Sequence, residues 1–269
     1  MVRARCVLAC VLALAGALWP EAGPVAAAEG LTVAAAASLQ PVFGELVRRF
    51  EAAGEPRVTL VLGASGSLAQ QMRHGAPYDL FASADARWVR GLADDGLIDP
   101  TSLHTYALGR LALVVRPPVP LPPGEAPLDA RALALLKAPQ VRVVALANPA
   151  HAPYGAAAEQ ALRRAGLWRA LAPKRVYGEN VRQALRFLES GNAEAALVAV
   201  SLLADARWPW RSVQPILHAP IPQTLGIARG SPRAAAARRF TALLATPVGQ
   251  ALLIRHGYEV ALHPPRSGL

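Results

Sequence analysis

Short apolar stretches rich in β-branched residues alternate with amphipathic helical patterns along most of this chain. That is the signature of strands joined by crossover helices into a mostly parallel sheet flanked by helices. Leu31–Ala35 reads as a strand, after which Val42, Phe43, Leu46, Val47 and Phe50 recur on one helical face. Val58–Leu62 is a second strand, followed by a helix over Ser67–Arg73. Asp79–Ala82 is a third, and Asp85 caps a helix ending near Gly96. A Rossmann-like half is complete by residue 100. Strand Leu111–Val115 runs into Pro117-Pro118-Val119-Pro120-Leu121-Pro122-Pro123, which can continue neither a helix nor a central strand and reads as an exit into a second lobe. There the pattern predicts strand Val141–Ala145, helices Gly155–Ala165 and Val181–Ser190, and strand Ala195–Val200. Ile221–Ile227 is a returning strand, and Ser231-Pro232 and Thr246-Pro247 open two closing helices, each with a capping hydroxyl ahead of a proline. The expected architecture is α/β with two lobes: residues 29–110 with 222–269 form lobe 1, and 111–221 form lobe 2. The chain crosses between them twice, near 109–117 and 213–224. No internal sequence repeat is present.

The amino terminus has a different character. Arg3 and Arg5 precede an apolar run from Val7 to Leu18 and the small-residue stretch Val25-Ala26-Ala27-Ala28, a pattern expected of a secretory signal peptide over residues 1–28, cleaved after Ala28. The run is too short to span a bilayer, which needs about 20 apolar residues. Cys6 and Cys10 fall inside this segment, so the mature chain is expected to have no thiol, disulfide or cysteine metal ligand. Leu8-Ala9-Cys10 superficially resembles a lipidation site, but most of the apolar run lies on its wrong side. About 240 residues remain, enough for one large core or two smaller ones. The net charge of +10 raises the question of nucleic acid, but the arginines are dispersed as pairs on helix faces (Arg48-Arg49, Arg163-Arg164, Arg238-Arg239) without interleaved aromatics, the pattern of solvated surfaces.

The informative places are four strand-to-helix junctions. Ala35-Ala36-Ala37-Ser38-Leu39-Gln40-Pro41 ends one strand and opens a helix, with Ser38 near the cap; Gly63-Ala64-Ser65-Gly66-Ser67-Leu68 does the same after the next. In the second half, Asn148-Pro149-Ala150-His151-Ala152-Pro153-Tyr154-Gly155 leads into a helix. Glu179-Asn180-Val181-Arg182-Gln183 opens another, with Asn180 as N-cap and Gln183 placed to answer it. In open α/β sheets ligands sit beyond the carboxyl ends of strands, and free N–H groups with the positive dipole end make helix N-termini suited to anions. Two such junctions per lobe, facing across a cleft, could surround an anion.

These segments resemble the periplasmic molybdate-binding proteins of ABC transporters. The resemblance is carried by Ala-Ala-Ser-Leu near the mature start, the Ser65–Gln71 segment, Gly75-Ala76-Pro77-Tyr78-Asp79-Leu80-Phe81-Ala82-Ser83-Ala84-Asp85, Asn148-Pro149 with Pro153-Tyr154-Gly155, Glu179-Asn180-Val181-Arg182, and Phe240 with Gly257-Tyr258. It implies a type II two-lobed binding-protein fold and a monomeric, periplasmic receptor. Such a receptor captures molybdate or tungstate between its lobes and delivers it to a membrane permease, without catalysis or cofactor. It further implies that the oxyanion is held by Ser38, Ser65, Tyr154 through its N–H and Val181 through its N–H, with molybdenum present only as the bound oxyanion. Some relatives place a ligand-contacting tyrosine where this chain has Ala199. Tyr154 either compensates by covering the site or is simply a lid aromatic.

Other readings are weaker. Gly63-Ala64-Ser65-Gly66-Ser67 nearly forms a serine-hydrolase nucleophile elbow but has Ser67 where the motif needs glycine, and no Asp/His pair follows at suitable positions. His74, His104, His151, His218, His256 and His263 show no metal-ligand spacing. Asp79 and Asp85 are expected to satisfy backbone, since a carboxylate in the cleft would repel an anion. Trp88, Trp168, Trp208 and Trp210 are expected to be buried rather than to form a sugar platform. A receptor for another small anion, such as sulfate, is the nearest alternative.

Overall fold

The computed structural model describes residues 30–260. The expected signal peptide, its two cysteines and His263 lie outside the described residues. In chain order the first lobe holds β1 (Leu31–Ala36), α1 (Gln40–Ala52), β2 (Val58–Gly63), α2 (Ser65–Arg73), β3 (Leu80–Ser83), α3 (Ala86–Asp94) and β4 (His104–Gly109). The chain then builds β5 (Leu111–Val115), β6 (Val144–Ala147), α4 (Pro153–Arg164), β7 (Arg175–Gly178), α5 (Val181–Glu189), β8 (Ala195–Ala199) and β9 (Trp210–Ser212). It returns through β10 (Ile221–Ile227) to α6 (Ala234–Ala242) and α7 (Pro247–Arg255).

Two five-stranded sheets result, ordered β2-β1-β3-β10-β4 and β7-β6-β8-β5-β9, and they share one topology. In each, the first three strands are parallel and the fourth is antiparallel to both neighbours, so the sheets are mixed. The reversed strands, β10 and β5, are the ones that arrive from the other lobe. The carboxyl ends of β1–β3 and β6–β8 face the inter-lobe space, so a strand that enters from that space has to run against them. Both crossings follow the same rule, leaving one sheet by an edge strand (β4 or β9) and entering the interior of the other.

The first crossing is made at Gly109, the last residue of β4, and Arg110, the single residue before β5. The proline-rich segment expected to be the exit therefore lies one strand too late. By Pro117 the chain has already laid down β5 in the second sheet. The helices begin close to their expected starts, with three exceptions: α2 starts at Ser65 rather than Ser67, α4 at Pro153 rather than Gly155, and α6 is capped at Arg233 rather than Ser231. Thr246 does cap α7, its side chain accepting from the Gly249 N–H.

Alanine-rich strands such as β8 (Ala-Ala-Leu-Val-Ala) let helices settle close to the sheets, and one core runs continuously through both lobes. Phe43 and Phe50 of α1 meet Phe240 of α6 edge-on, at 5.7 and 5.3 Å between ring centroids, which fixes two helices on the same side of the first sheet. Val89, Leu92, Leu68 and Phe81 form a smaller cluster on its other side. The four tryptophans expected to be buried are only half-buried. Trp168 is stacked beneath the Arg175 guanidinium at 3.4 Å, and Trp208 lies between Arg116 and Arg207.

Asp79 does the backbone work expected of it. One carboxylate oxygen accepts from the Thr32 N–H at 2.8 Å and the other from the Ser231 hydroxyl at 2.7 Å, with the Arg233 guanidinium 3.6 Å away. This ties β1, the approach to β3 and the start of α6 together at a buried point, where the Ser231 oxygen also accepts the Arg233 N–H at 3.0 Å, just ahead of the helix. Asp79→Ala strands these donors, and denaturant unfolding should show a loss of at least about 2 kcal/mol, whereas Asp95→Ala, at an exposed ion pair, should cost under about 1 kcal/mol.

Candidate anion-binding site

The junction after β1 is a 3-10 turn, Ala37–Leu39, that runs directly into α1 with Pro41 in its first turn. Leu39, the N-cap of α1, is itself helical (φ −83°, ψ −7°), so Ser38 is not the cap that sequence suggests. Its carbonyl accepts hydroxyl protons from Ser201 at 2.8 Å and Tyr258 at 2.9 Å. Its own hydroxyl is fully buried and has no hydrogen-bond partner. Leaving such a group unpaired costs about 1–3 kcal/mol, and native interiors rarely do so without a reason.

After β2 the chain turns at Ala64, which is extended (φ −72°, ψ 140°) and offers no side-chain cap. Ser65 is the first residue of α2 and fully buried; its Oγ accepts the Ala84 N–H at 3.1 Å. That contact uses a lone pair and leaves the hydroxyl proton to donate elsewhere. Gly66, next in line, donates its N–H to the His151 carbonyl of the opposite lobe at 2.8 Å. A Cβ on Gly66 would sit 2.9 Å from that oxygen and 2.7 Å from the Trp88 ring, so glycine is what lets the lobes approach here.

In the second lobe, α4 opens at Pro153, which has no N–H, making Tyr154 the first donor of the helix. The preceding loop is held by the Asn148 side chain, which accepts the Ala150 N–H at 3.0 Å. At the start of α5, Asn180 Oδ1 accepts both the Arg182 and the Gln183 N–H at 3.0 Å. The cap therefore satisfies the second and third first-turn donors and leaves that of Val181. Gln183 answers the cap one residue early, accepting from the Glu179 N–H.

Ser38, Ser65, Tyr154 and Val181 are all buried and line one cavity, together with Ala36, Ala37, Gly63, Ala64, Ala84, Ala152 and Pro153. The cavity is narrow: the space in it open to a water-sized body is about 10 Å³. No carboxylate, histidine, lysine or arginine is among the lining residues. Asp85 caps α3 by accepting the Arg87 N–H, and, among the described residues, no group of three His, Cys, Asp or Glu stands where it could hold a metal ion. The site therefore consists of hydroxyl and N–H donors at four helix or turn beginnings, an arrangement that can solvate a proton-free anion without a cationic side chain. A larger open groove of about 870 Å³ lies beside α1 and α5; unlike the cavity it is lined by cationic side chains, Arg48, Arg182 and Arg207, of which Arg182 is paired with Glu189 at 3.3 Å.

Tyr154 is not an outer lid. Its ring is buried, and its hydroxyl reaches the first crossing, where a Cβ on Gly109 would fall 2.1 Å from it. Ala199, at the end of β8 opposite Leu111, is not among the lining residues. Burial holds the Tyr154 phenol far above the ordinary tyrosine range, the nearby Tyr258 adds to this, and Ser38 acts in the opposite sense. Ser38 is close enough to act on that titration, yet neither hydroxyl completes a hydrogen bond of normal geometry. Burial likewise raises Tyr106, and pushes Tyr258 up to about 12. All three phenols are neutral at physiological pH. Ser201 and Tyr258, which hold the Ser38 carbonyl, escaped sequence reasoning as site-supporting residues. They lie 163 and 220 positions away, beyond any local pattern.

The two serines should differ in the ligand-free protein. Ser38→Ala removes a hydroxyl with no protein partner and should leave thermal stability unchanged or slightly raised. Ser65→Ala strands the buried Ala84 N–H and should cost about 1–3 kcal/mol. Equal destabilisation of the two variants in chemical unfolding would contradict the assigned hydrogen bonds.

Comparison with known proteins agrees with this geometry. Residues 31–259 match the family described as bacterial extracellular solute-binding protein. The chain is 33% identical over 237 residues to the molybdate-binding protein ModA of Rhodobacter capsulatus, covering 87% of this chain and 90% of that one. The solved periplasmic molybdate-binding protein of Azotobacter vinelandii superposes with a TM-score of 0.77 at 28% identity, covering 86% of this chain and 99% of that one. The sulfate-binding protein SubI of Mycobacterium tuberculosis superposes with a TM-score of 0.67 at 18% identity over 87% of each chain, a likeness of fold. The protein thus belongs to the bacterial extracellular solute-binding family, with the two-lobed fold of its periplasmic molybdate-binding members.

Proposed function

We propose that this protein captures molybdate or tungstate in the cavity between its lobes and delivers it to the membrane permease of an ABC transporter. The observation that carries this reading is the buried Ser38 hydroxyl without a protein partner, facing a cavity that Ser65, Tyr154 and Val181 also line. The relatives named for molybdate binding supply the ligand class. Ser38 and Ser65 donate hydroxyl protons, and Tyr154 and Val181 donate N–H groups. Lobe 1 comprises residues 29–110 with 222–269, lobe 2 comprises 111–221, and the lobes close on the anion by hinge motion at the two crossings. The protein acts as a periplasmic monomer after removal of residues 1–28 and catalyses no reaction. The hydrolase reading loses its support at Ser65, whose oxygen is engaged by the Ala84 N–H in a cavity lined by neither histidine nor carboxylate.

A site made of donors selects by protonation and size. A proton-free dianion accepts from every group, whereas monohydrogen phosphate brings a donor that finds no acceptor and leaves polar groups unpaired. Sulfate has no proton, but S–O bonds are shorter than Mo–O or W–O bonds. A cleft closed at the larger radius leaves sulfate with stretched contacts. Competition calorimetry near neutral pH should give molybdate ≈ tungstate ≫ sulfate > phosphate. Sulfate binding as tightly as molybdate would instead make this a sulfate receptor, and no binding of any oxyanion would end the proposal.

Hydrogen bonds to a charged partner contribute roughly 1.5–3 kcal/mol each, so Ser38→Ala and Ser65→Ala should each weaken molybdate at least about tenfold. Ser67→Ala, outside the lining residues, should do much less. A titration series in which Ser67→Ala was the most damaging of the three would show that the wrong face of this junction has been assigned.

A further inference from the structure

The Ser38 carbonyl sits where the two lobes meet. One of its hydrogen bonds comes from Tyr258 in its own lobe, the other from Ser201 in the opposite lobe, and all three residues are buried. Ser201 occupies the 3-10 turn Val200–Leu202 that follows β8. That turn is fixed by two further contacts. The Val200 N–H donates to the Arg110 carbonyl in the first crossing at 2.9 Å. The Val200 side chain presses against Gly257, where φ is +76° and a Cβ would lie 2.4 Å from Val200 Cγ1. A serine hydroxyl has one proton, and Ser201 directs its proton to Ser38. With two donors on its carbonyl, the Ser38 peptide is held against rotation, and its Oγ stays in the cavity. Neither Ser201 nor Tyr258 is among the lining residues.

We propose that Ser201 is a positioning residue for the anion site. Its hydrogen bond across the lobes holds the Ser38 peptide, so that the full strength of the Ser38 contact depends on lobe 2 being in place. This rests on the reading of the cavity as an oxyanion site. Ser201 thereby acts on the ligand only through Ser38 and slows its release.

The test is a double-mutant cycle with sodium molybdate, read by calorimetry and by stopped-flow release, using wild type, Ser201→Ala, Ser201→Thr, Ser38→Ala and the double variant Ser38→Ala/Ser201→Ala. Ser201→Ala should weaken binding roughly three- to tenfold, expressed in the release rate more than in association. Ser201→Thr, which keeps the hydroxyl, should recover binding to within about twofold. On the Ser38→Ala background, Ser201→Ala should cost nothing further, because residues in one hydrogen-bonded chain are not additive. Wild-type affinity and release in Ser201→Ala, or a fully additive loss in the double variant, overturns the proposal. If Ser201→Ala does not fold, Ser201→Cys, a weaker donor of similar volume, takes its place in the same cycle. A wild type that binds no oxyanion, or Ser38→Ala binding like wild type, defeats the underlying site reading. Those failures appear in arms that do not contain a Ser201 substitution.

Discussion

The N–H groups at the start of a helix have no partner within the helix, and this fold brings four such starts to one place. Everything else in the architecture serves that convergence. The strands β1, β2, β6 and β7 end at the inter-lobe space, so the turns that follow them deliver donors to it. The same constraint reverses β5 and β10, since a strand coming from the cleft into a sheet whose strands run toward the cleft has no other direction available. The site and the mixed sheets are two consequences of one geometry.

That geometry was partly legible in the sequence because interior strands and helix starts carry strong local signals. Ile221–Ile227 and Leu111–Val115 were readable to the residue: the latter is apolar and buried on both faces, and the former, though it carries Gln223 and Thr224, is bounded by isoleucines and almost wholly buried. The strands β4, β7 and β9 were not, and all three are sheet edges. Arg175-Val176-Tyr177-Gly178 is half-buried, with Tyr177 exposed, and has no apolar run, and β9 is only three residues long. The prolines drew the reading of the exit because they break a strand visibly, whereas the turn between β4 and β5, inside the stretch 109–117 where the crossing was expected, contains no breaker beyond a single glycine. The four junctions stood out because Ser, Asn and Pro at helix starts have a mechanism, and the family resemblance supplied the residue in each. Their supports, Ser201 and Tyr258, did not, because a carbonyl's choice of distant donor leaves no trace in spacing.

The electrostatics fit the same scheme. The chain carries a formal charge of +10, yet several arginines sit in pairs with carboxylates or over tryptophan rings, and none lines the cavity. Positive charge at the surface can raise the local concentration of an anion and speed its arrival, an effect that salt screens. Retention is left to dipoles and hydroxyls, which are sensitive to geometry and far less so to salt. The neutral phenols of Tyr106, Tyr154 and Tyr258 behind Ser38 complete this arrangement, since burial keeps them from ionising beside a bound anion.

The shared topology of the two sheets places Ser38 and Tyr154 at equivalent junctions, after β1 and β6, and Ser65 and Val181 at another equivalent pair, after β2 and β7. The lobes nevertheless contribute different chemistry. Lobe 1 offers side-chain hydroxyls, whose protons rotate about the C–O bond to meet an acceptor. Lobe 2 offers backbone N–H groups, whose directions are set by helices that Pro153 and Asn180 begin and fix. A rotating donor tolerates a range of acceptor positions, and a backbone donor tolerates few. In the proposed site the rigid half therefore sets the radius at which an oxyanion is fully satisfied, and the adaptable half completes its shell. On the proposed reading, discrimination by size then resides in the α4 and α5 starts, in positions held by capping and by the packing of Tyr154 against Gly109 rather than by any residue with a charge.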